Sequence, residues 1–281
     1  MPLDGGITNR NFRARFGGRE LVVRLPGKDT EALGIDRRAE RDANAAAAGA
    51  GVAPAVALLL EDPPCLVTDF VAGGAVDAER LRQPAALAEV AAALRAVHGC
   101  EPIAAGFSAF RVVEDYAAKA AARGGSVPAE YERTRATAAR IETALRRRRA
   151  AVLCHNDLLA ANFIASPAGL RIVDWEYAGM GDRYFDLGNF AVNNGLSDRD
   201  EEALLAAYGG RPATAAQLAA LRLMRFMSDF REAMWGVLQG ALSDLDFDFA
   251  AYAAKHFDRL AAAEAEPRFE ALLEEAGGAA G

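Results

Sequence analysis

Two short segments carry most of the information in this sequence: CHNDLLAANFI at residues 154–164 and IVDWE at residues 172–176. Apolar residues stand beside both segments, which favours short buried strands there. Between them, SPAG at residues 166–169 is typical of a turn that joins two hairpin strands. The sequence therefore predicts a hairpin with polar loops at one end. The strands are expected near residues 151–153, 162–164 and 170–173.

The polar loops bring three oxygen-bearing side chains to one end of this hairpin. The hairpin returns Asp174 to the neighbourhood of Asn162, and Asp157 lies in the loop just before it. Mg²⁺ prefers hard oxygen ligands and is usually held by one or two carboxylates plus substrate phosphates. We therefore expect Asn162 and Asp174 to bind Mg²⁺ and Asp157 to accept the proton of an attacking hydroxyl. The offsets of His155, Asp157 and Asn162 fit the H-x-D-x-x-x-x-N form of a kinase catalytic loop.

Each of these positions has a simpler interpretation when it is taken alone. His155 could be a packed core histidine, and Asp157 and Asn162 could be loop caps. Four positions in register, each in the expected structural context, favour phosphoryl transfer instead. A metal hydrolase that uses His155 and Asp157 is a remote alternative, because His98 and His256 have no metal-ligand spacing.

Composition excludes some classes of protein without choosing a function. Of the 281 residues, 25% are charged and 52% hydrophobic, which is ordinary for a globular protein. The net charge of -7 argues against nucleic-acid binding, which normally needs a basic surface. The three cysteines lack C-x-x-C spacing and indicate reduced core residues in a cytoplasmic protein. No signal or membrane-spanning segment is expected.

The chain is expected to form an α+β fold, with a small β-rich lobe at residues 1–72 and a larger helical lobe at residues 73–281. Glycines 17 and 18 predict a hairpin turn, and VAGG at residues 71–74 is a short linker. The end of the chain, residues 274–281, is expected to be frayed. Strands are predicted near 11–16, 20–25, 56–60 and 65–70, and helices near 36–48, 84–98, 112–123, 129–149, 182–194, 200–207, 214–242 and 248–263.

Several motifs together resemble a known family, the choline/ethanolamine kinases within the wider aminoglycoside-phosphotransferase-like kinases. The resemblance implies a protein-kinase-like fold of two lobes, with ATP bound in the cleft between them and a small alcohol as the acceptor. It covers most of the chain. The motifs that carry it are GGITNRNF (5–12), VRLPGK (23–28), IDRRAE (35–40), the loop 155–162, VDWEYAG (173–179) and YFDLGN (184–189).

The resemblance assigns roles around the nucleotide phosphates. It implies that Asp157 is the catalytic base, that Asn162 and Asp174 are the Mg²⁺ ligands, and that Glu176 lies near a second metal. Glu176 follows Asp174 by two residues on an extended segment, so both face the same side. A solvated glutamate at the end of a strand is the competing interpretation. By the same resemblance, Asp186 supports the catalytic loop from a neighbouring helix and has no direct part in the chemistry.

Arg24 stands where protein kinases have the lysine that pairs with the α- and β-phosphates. None of the lysines of this chain falls on that strand. Arginine is chemically suitable, because its guanidinium offers a fixed fork of donors to phosphate oxygens. The resemblance implies that Glu40 holds Arg24 in place, whereas the alternative for Glu40 is an ordinary surface charge.

The remaining nucleotide contacts are assigned by the same resemblance. Thr8 and Asn9 follow two glycines in a loop expected to approach the phosphates, although Gly-Gly is more often an ordinary turn. Because the chain begins four residues before this loop, the first strand of the family is expected to be absent or vestigial. Asp69 and Phe70 are placed at the hinge, where backbone groups bind adenine.

A cationic acceptor would need aromatic faces and a carboxylate. Trp235 and Glu232 lie on the predicted helix 214–242, in a segment that resembles the tryptophan-bearing helix of the choline pocket, and Tyr177 is close to Asp174. Each cation–π contact contributes about 0.5–2 kcal/mol. The alternative for Trp235 is a core stripe shared with Met224 and Met227, and for the two methionines the core is the better interpretation.

Three hypotheses therefore stand. The first is an ATP- and Mg²⁺-dependent kinase that phosphorylates choline or ethanolamine. The second is the same chemistry on another alcohol, such as an aminoglycoside, thiamine or a sugar. The third is a catalytically silent nucleotide-binding regulatory module. ATP and a small alcohol are the expected partners.

Overall fold

The first part of the chain folds into an antiparallel sheet backed by a helix. The computed structural model describes residues 1–3, 9–62, 64–146 and 150–278, so Thr8, with Gly5 and Gly6, lies outside the described residues. In these ranges five strands form the sheet, in the order β1-β2-β3-β5-β4. The strands are β1 (Pro2–Leu3), β2 (Asn9–Phe16), β3 (Arg19–Pro26), β4 (Val56–Glu61) and β5 (Pro64–Asp69).

The β2–β3 hairpin follows from its turn residues. Gly17 and Gly18 both have positive φ angles (57° and 80°), which two-residue hairpin turns require and glycine adopts without strain. The hairpin pairs Asn11 with Arg24. Strand β1, only two residues long, pairs with β2. Helix α1 (Arg37–Gly49) begins at Asp36, whose carboxylate accepts hydrogen bonds from two backbone amides of the first turn.

The second part of the chain is mainly helical. Its longest helix, α8, begins at a capping box formed by Thr214 and Gln217 and is buried along most of its length. Six other described helices pack around it, which explains why α8 is apolar on more than one face: α4, α5, α6, α7, α9 and α10. The helices are α2 (Ala78–Leu81), α3 (Pro84–His98), α4 (Ala109–Ala122), α5 (Glu130–Ala144), α6 (Arg183–Asn193), α7 (Asp198–Gly209), α8 (Ala215–Leu242), α9 (Phe249–Ala265) and α10 (Phe269–Gly278).

Short strands in the second part of the chain frame the polar loops. The predicted hairpin is present and pairs Phe163 with Ile172, while Gly179 pairs with Cys154. Two of these strands, β6 and β10, were not predicted, because a two- or three-residue glycine-containing strand has no sequence pattern of its own. The strands are β6 (Gly74–Ala75), β7 (Val152–Cys154), β8 (Phe163–Ser166), β9 (Gly169–Ile172) and β10 (Gly179–Gly181).

The predicted α+β class is confirmed, but the expectation of a frayed end was wrong for residues 274–278, and residues 279–281 lie outside the described residues. Residues 274–278 belong to α10 and are not frayed. Phe269, Leu272 and Ala276 are buried, and α10 packs on α5 and α8, so tertiary contacts overcome a glycine- and glutamate-rich composition. Among the described helices, none is long and apolar enough to cross a membrane.

Candidate active site

The loop between β7 and β8 carries Asp157 and is held from behind by helix α6. The Asp186 carboxylate accepts hydrogen bonds from the backbone amides of His155 (2.9 Å) and Asn156 (2.7 Å). It also contacts Nε2 of His98, at 3.1 Å. Asn156 has a φ angle of 67°, a left-handed conformation that is uncommon outside glycine. These contacts fix the loop in a shape that it would not keep alone.

His155 has a structural role in this loop. Its Nε2 contacts the carbonyl of Val173 at 2.9 Å, and the amide of Asp157 donates to its Nδ1 at 3.2 Å. Burial lowers the pKa of His155, which favours the neutral imidazole that these two bonds require. Trp175 packs against the ring at 4.6 Å. Both ring nitrogens are engaged by the main chain, so the metal hydrolase alternative has no free histidine ligand at this position.

The hairpin brings Asn162 and Asp174 together beside Asp157, as the spacing predicted. The side-chain nitrogen of Asn162 donates to the carbonyl of Asp157 at 2.8 Å, which leaves its amide oxygen on the opposite side. The amide of Val173 donates to the carbonyl of Asn162 at 3.0 Å. Asp174 has a φ angle of 69°, a strained conformation of the kind found at functional sites. All three predicted residues line one cleft.

Glu176 is 5% exposed, so it is not the solvated glutamate of the competing interpretation. Its carboxylate accepts a hydrogen bond from Asn9 (2.6 Å) and pairs with Arg37 (3.3 Å). Burial, together with the charge of Asp174, raises the pKa of Glu176 to about 7. Asn9 also accepts from Arg37 at 2.9 Å, so both ends of its amide are engaged within the protein. The sequence analysis did not identify Arg37.

The donor set around Asp174 fits a hard divalent cation. It consists of an amide oxygen from Asn162 and carboxylates from Asp174 and Glu176, all lining the cleft. The backbone of Asp174 is strained, and the charge of Asp174 contributes to the raised pKa of Glu176. A nearby cation would relieve this repulsion between the two carboxylates. These residues would hold Mg²⁺, and the ion would neutralise phosphate oxygens.

Arg24 lies between two carboxylates, Glu40 and Asp174. Its Nη1 is 2.8 Å from Glu40 and also contacts Asp174. Burial alone would lower the pKa of Arg24, but Asp174 and Glu40 outweigh that effect and raise it, so the guanidinium stays charged. Glu40 is 1% exposed, which excludes the surface-charge interpretation. The pair inferred from the sequence is present.

Asp69 and Phe70 lie where the sheet meets the linker, and both line the cleft. Their backbone amides are already used, since Asp69 donates to the carbonyl of Ala55 and Phe70 to that of Glu20, each at 2.9 Å. A base bound here would therefore contact carbonyl groups or the main chain of Val71, which also faces the cleft.

The far end of the cleft is aromatic and acidic. The indole nitrogen of Trp235 donates to the hydroxyl of Tyr177 at 3.1 Å, and the ring of Tyr252 lies 5.7 Å from that of Trp235. Glu232 accepts a hydrogen bond from the hydroxyl of Tyr252 (2.7 Å) and another from Arg231 (2.8 Å). The predicted residues Tyr177, Glu232 and Trp235 thus meet in one pocket.

Tyr252 and Arg231 were missed as members of this pocket. Tyr252 is on α9 in a stretch without a motif, and only the packing of α9 on α8 brings it to Glu232. Arg231 stood next to a predicted residue, but the sequence does not show which face of the helix turns inward. Met224 and Met227 are buried in the core, as the core interpretation predicted.

The fold and the cleft define a class of protein. A cleft of about 610 Å³ has an arginine, an amide and carboxylates in the arrangement of a kinase-type phosphoryl-transfer site at one end, and an aromatic, acidic pocket at the other. Comparison with known proteins identifies the family. The sequence profile of the phosphotransferase enzyme family matches residues 1–226. The chain belongs to this family and, within it, to the choline/ethanolamine kinases.

Among solved structures, a choline/ethanolamine kinase family protein from Mesorhizobium loti is 31% identical, with a TM-score of 0.85, over 98% of this chain and 91% of that one. Choline kinase LicA from Streptococcus pneumoniae shares the fold, with a TM-score of 0.78 and 23% identity over 93% of this chain and 92% of that one. Human ethanolamine kinase 2 is 33% identical over 128 residues, which are 38% of this chain. The match spans 33% of that kinase's length. The protein-kinase-like fold inferred from the motifs is confirmed.

Proposed function

We propose that this protein is an ATP-dependent kinase that phosphorylates the hydroxyl of a small amino alcohol, choline or ethanolamine. One observation carries the proposal: Asp157 stands in a cleft that has the Asn162–Asp174 pair on one side and the acidic, aromatic pocket of Glu232 on the other. A hydroxyl beside Asp157 would face both a nucleotide phosphate and a site for its own cationic group.

The nucleotide half of the proposal assigns ATP to the cleft between the lobes 1–72 and 73–281. Arg24 would contact phosphate oxygens, and the hinge at Asp69 and Phe70 would contact adenine through main-chain groups. Asn162, Asp174 and Glu176 would hold Mg²⁺. Asn9 would act through Glu176, which its side chain already contacts, while Thr8, assigned to the same loop, lies outside the described residues.

The acceptor half rests on charge and shape. Glu232 offers a carboxylate, and the rings of Trp235, Tyr177 and Tyr252 offer faces to a cation. A quaternary or primary ammonium on an aromatic face gains about 0.5–2 kcal/mol per contact. An aminoglycoside needs a wide acidic surface for several ammonium groups, and this compact pocket favours one cation instead. The Arg24–Glu40 ion pair supports an active enzyme over a silent regulatory module.

The test is direct. Purified protein is incubated with Mg-ATP and, separately, with choline, ethanolamine, thiamine or kanamycin, and ADP release is followed for each. We expect acceptor-dependent ADP release with choline or ethanolamine and a phosphomonoester product by ³¹P NMR. Turnover of thiamine or kanamycin alone would overturn the choice of acceptor, and no turnover with any alcohol would overturn kinase activity.

A further inference from the structure

Arg231 is buried between the base and the acceptor pocket. It is 1% exposed, and its Nη1 reaches Asp157 Oδ1 at 3.1 Å, Glu232 Oε1 at 2.8 Å and the carbonyl of Asn156 at 3.3 Å. Its guanidinium carbon lies 4.3 Å from the centre of the Tyr177 ring. One cation therefore touches the base, the acceptor carboxylate and an aromatic wall of the pocket.

This placement is not explained by stability alone. A buried guanidinium costs free energy unless all its donors are bonded. In the part of the chain that the structure describes, the Nε of Arg231 has no hydrogen-bond partner. A buried donor without a partner costs about 1–3 kcal/mol. The contacts with Asp157 and Glu232 offset that cost, because without Arg231 these two carboxylates would lack a counter-charge among the described residues.

The contacts of Arg231 limit the distance between the carboxylates of Asp157 and Glu232. Asp157 Oδ1 and Glu232 Oε1 share one nitrogen as donor, so they lie at most about 6 Å apart. The hydroxyl oxygen and the nitrogen of a two-carbon amino alcohol are roughly 3–4 Å apart, given bonds of about 1.5 Å. Such a molecule can place its hydroxyl at Asp157 and its cation at Glu232 at the same time. In a five-carbon homologue the two atoms are roughly 7 Å apart when the chain is extended, which is longer than the largest separation of the two carboxylate oxygens.

We propose that Arg231 is a positioning residue: by bridging Asp157 and Glu232 it fixes their separation and selects acceptors whose hydroxyl and cationic nitrogen are two carbons apart. The inference rests on the proposed function, since it concerns the acceptor of that reaction. The rigid guanidinium plane of arginine fixes the position of the shared Nη1, which the flexible ammonium group of a lysine does less well.

The experiment compares the wild type with Arg231→Gln, Arg231→Lys and a control, Arg222→Lys. Arg222 is on the same helix and pairs with buried Glu201 at 2.8 Å, away from the cleft. Each protein is assayed at saturating Mg-ATP with the better of choline and ethanolamine, and with the five-carbon homologue of that acceptor. Thermal unfolding of each variant is measured in parallel.

For Arg231→Gln we expect kcat on the two-carbon acceptor to fall about 100-fold, with the KM for ATP unchanged, because misplacement by about 1 Å costs that much. The ratio of kcat/KM between the short and the long acceptor should fall about tenfold, since a single lost hydrogen-bonded contact of this kind changes free energy by about 1.4 kcal/mol. The kcat and the acceptor ratio of Arg231→Lys should lie between those of the wild type and those of Arg231→Gln. Both values should be unchanged from the wild type in Arg222→Lys. If part of a variant is misfolded, kcat/KM falls by the same factor for both acceptors, and their ratio does not change.

If kcat/KM falls equally for both acceptors, Arg231 has only a structural role. If Arg231→Gln keeps the wild-type kcat, Arg231 has no role in turnover. Either result overturns the proposal while the kinase assignment stands. A wild type that phosphorylates no amino alcohol overturns the proposed function, and this inference with it.

Discussion

Asp157 is subject to opposing influences on its charge. Burial raises the pKa of its carboxyl to about 7, although the contact with Arg231 acts in the other direction. The carboxyl is therefore a better proton acceptor than an exposed aspartate, while the neighbouring guanidinium still favours the ionised form that a base needs. The same residue contacts Asn162 through its carbonyl, which links the base to the proposed metal site.

The first residue-level prediction concerns this base. Asp157→Ala should reduce turnover by about 100- to 10,000-fold, the usual contribution of a general base. ATP binding, measured by calorimetry, should change little, because the arginine and the metal ligands remain. Substantial turnover by the variant would mean that another group accepts the proton.

The second residue-level prediction separates a pocket wall from a core residue. Trp235→Ala should raise the KM for the cationic acceptor about 2- to 30-fold, corresponding to the range of a cation–π contact. The KM for ATP should stay near the wild-type value, as Trp235 contacts Tyr177 and Tyr252 at the acceptor end. Steady-state kinetics with each substrate varied in turn provide the check. Equal increases in both KM values would indicate a purely structural role.

At the scale of elements, the packing of α6 on α8 decides where the loop that carries Asp157 lies. Asp186 and Asn189 of α6 accept hydrogen bonds from backbone amides of the loop, and Asn189 also donates to Ser228 of α8. Gly188 allows the two helices to approach closely. A Cβ at this position would lie 2.7–2.8 Å from backbone atoms of α8.

We therefore expect Gly188→Ala to destabilise the protein by about 1–3 kcal/mol or more, since backbone atoms cannot move aside as a flexible side chain can. Turnover should fall as well, because the displaced α6 carries the loop contacts. Gly209→Ala is the matched control: it is at the end of α7 with nothing within 4 Å of a new Cβ, and its φ angle is not positive. Measured by thermal unfolding, the stability of this control should stay within about 1 kcal/mol of the wild-type value. A Gly188 variant as stable as that control would contradict the packing argument.

At the scale of the whole molecule, Asp174 joins the two parts of the chain. It follows a hairpin of the helical part, yet it pairs with Arg24 of the first sheet, 150 residues earlier. The same cleft receives Glu40 from α1 and Arg231 from α8. Ligand binding here is expected to stabilise both parts together, because neither part contains the site alone.

This gives a prediction for unfolding. ATP at 100 times its dissociation constant should stabilise the wild type by about 2.7 kcal/mol. That gain should depend on Mg²⁺ and be lost after chelation. Asp174→Asn should lose the Mg²⁺-dependent part, as it removes a proposed ligand. Asp244→Asn, a change at an exposed carboxylate paired with Lys28, serves as control and should respond like the wild type. Differential scanning fluorimetry measures both, and a full Mg-ATP response in Asp174→Asn would exclude this residue as a ligand.

The local signals of the sequence were enough for the class and for part of the site. The hairpin turn and the spacing of Asp157, Asn162 and Asp174 both act over fewer than twenty residues, where periodicity and turn chemistry are informative. The pairing of Arg24 with Glu40 was also expected, as an implication of the family resemblance. These features are properties of neighbouring residues, so a single sequence contains them.

Tertiary structure alone decided the rest. Arg231 meets Asp157 across 74 residues, and Tyr252 meets Glu232 only because α9 packs on α8. Arg37 contacts both Asn9 and Glu176, which are far apart in the sequence. No local pattern specifies which face of a buried helix turns toward a distant loop. The packing of whole elements fixes those distances. The sequence was therefore sufficient to predict the class of reaction, whereas the shape of the proposed acceptor pocket required the tertiary structure.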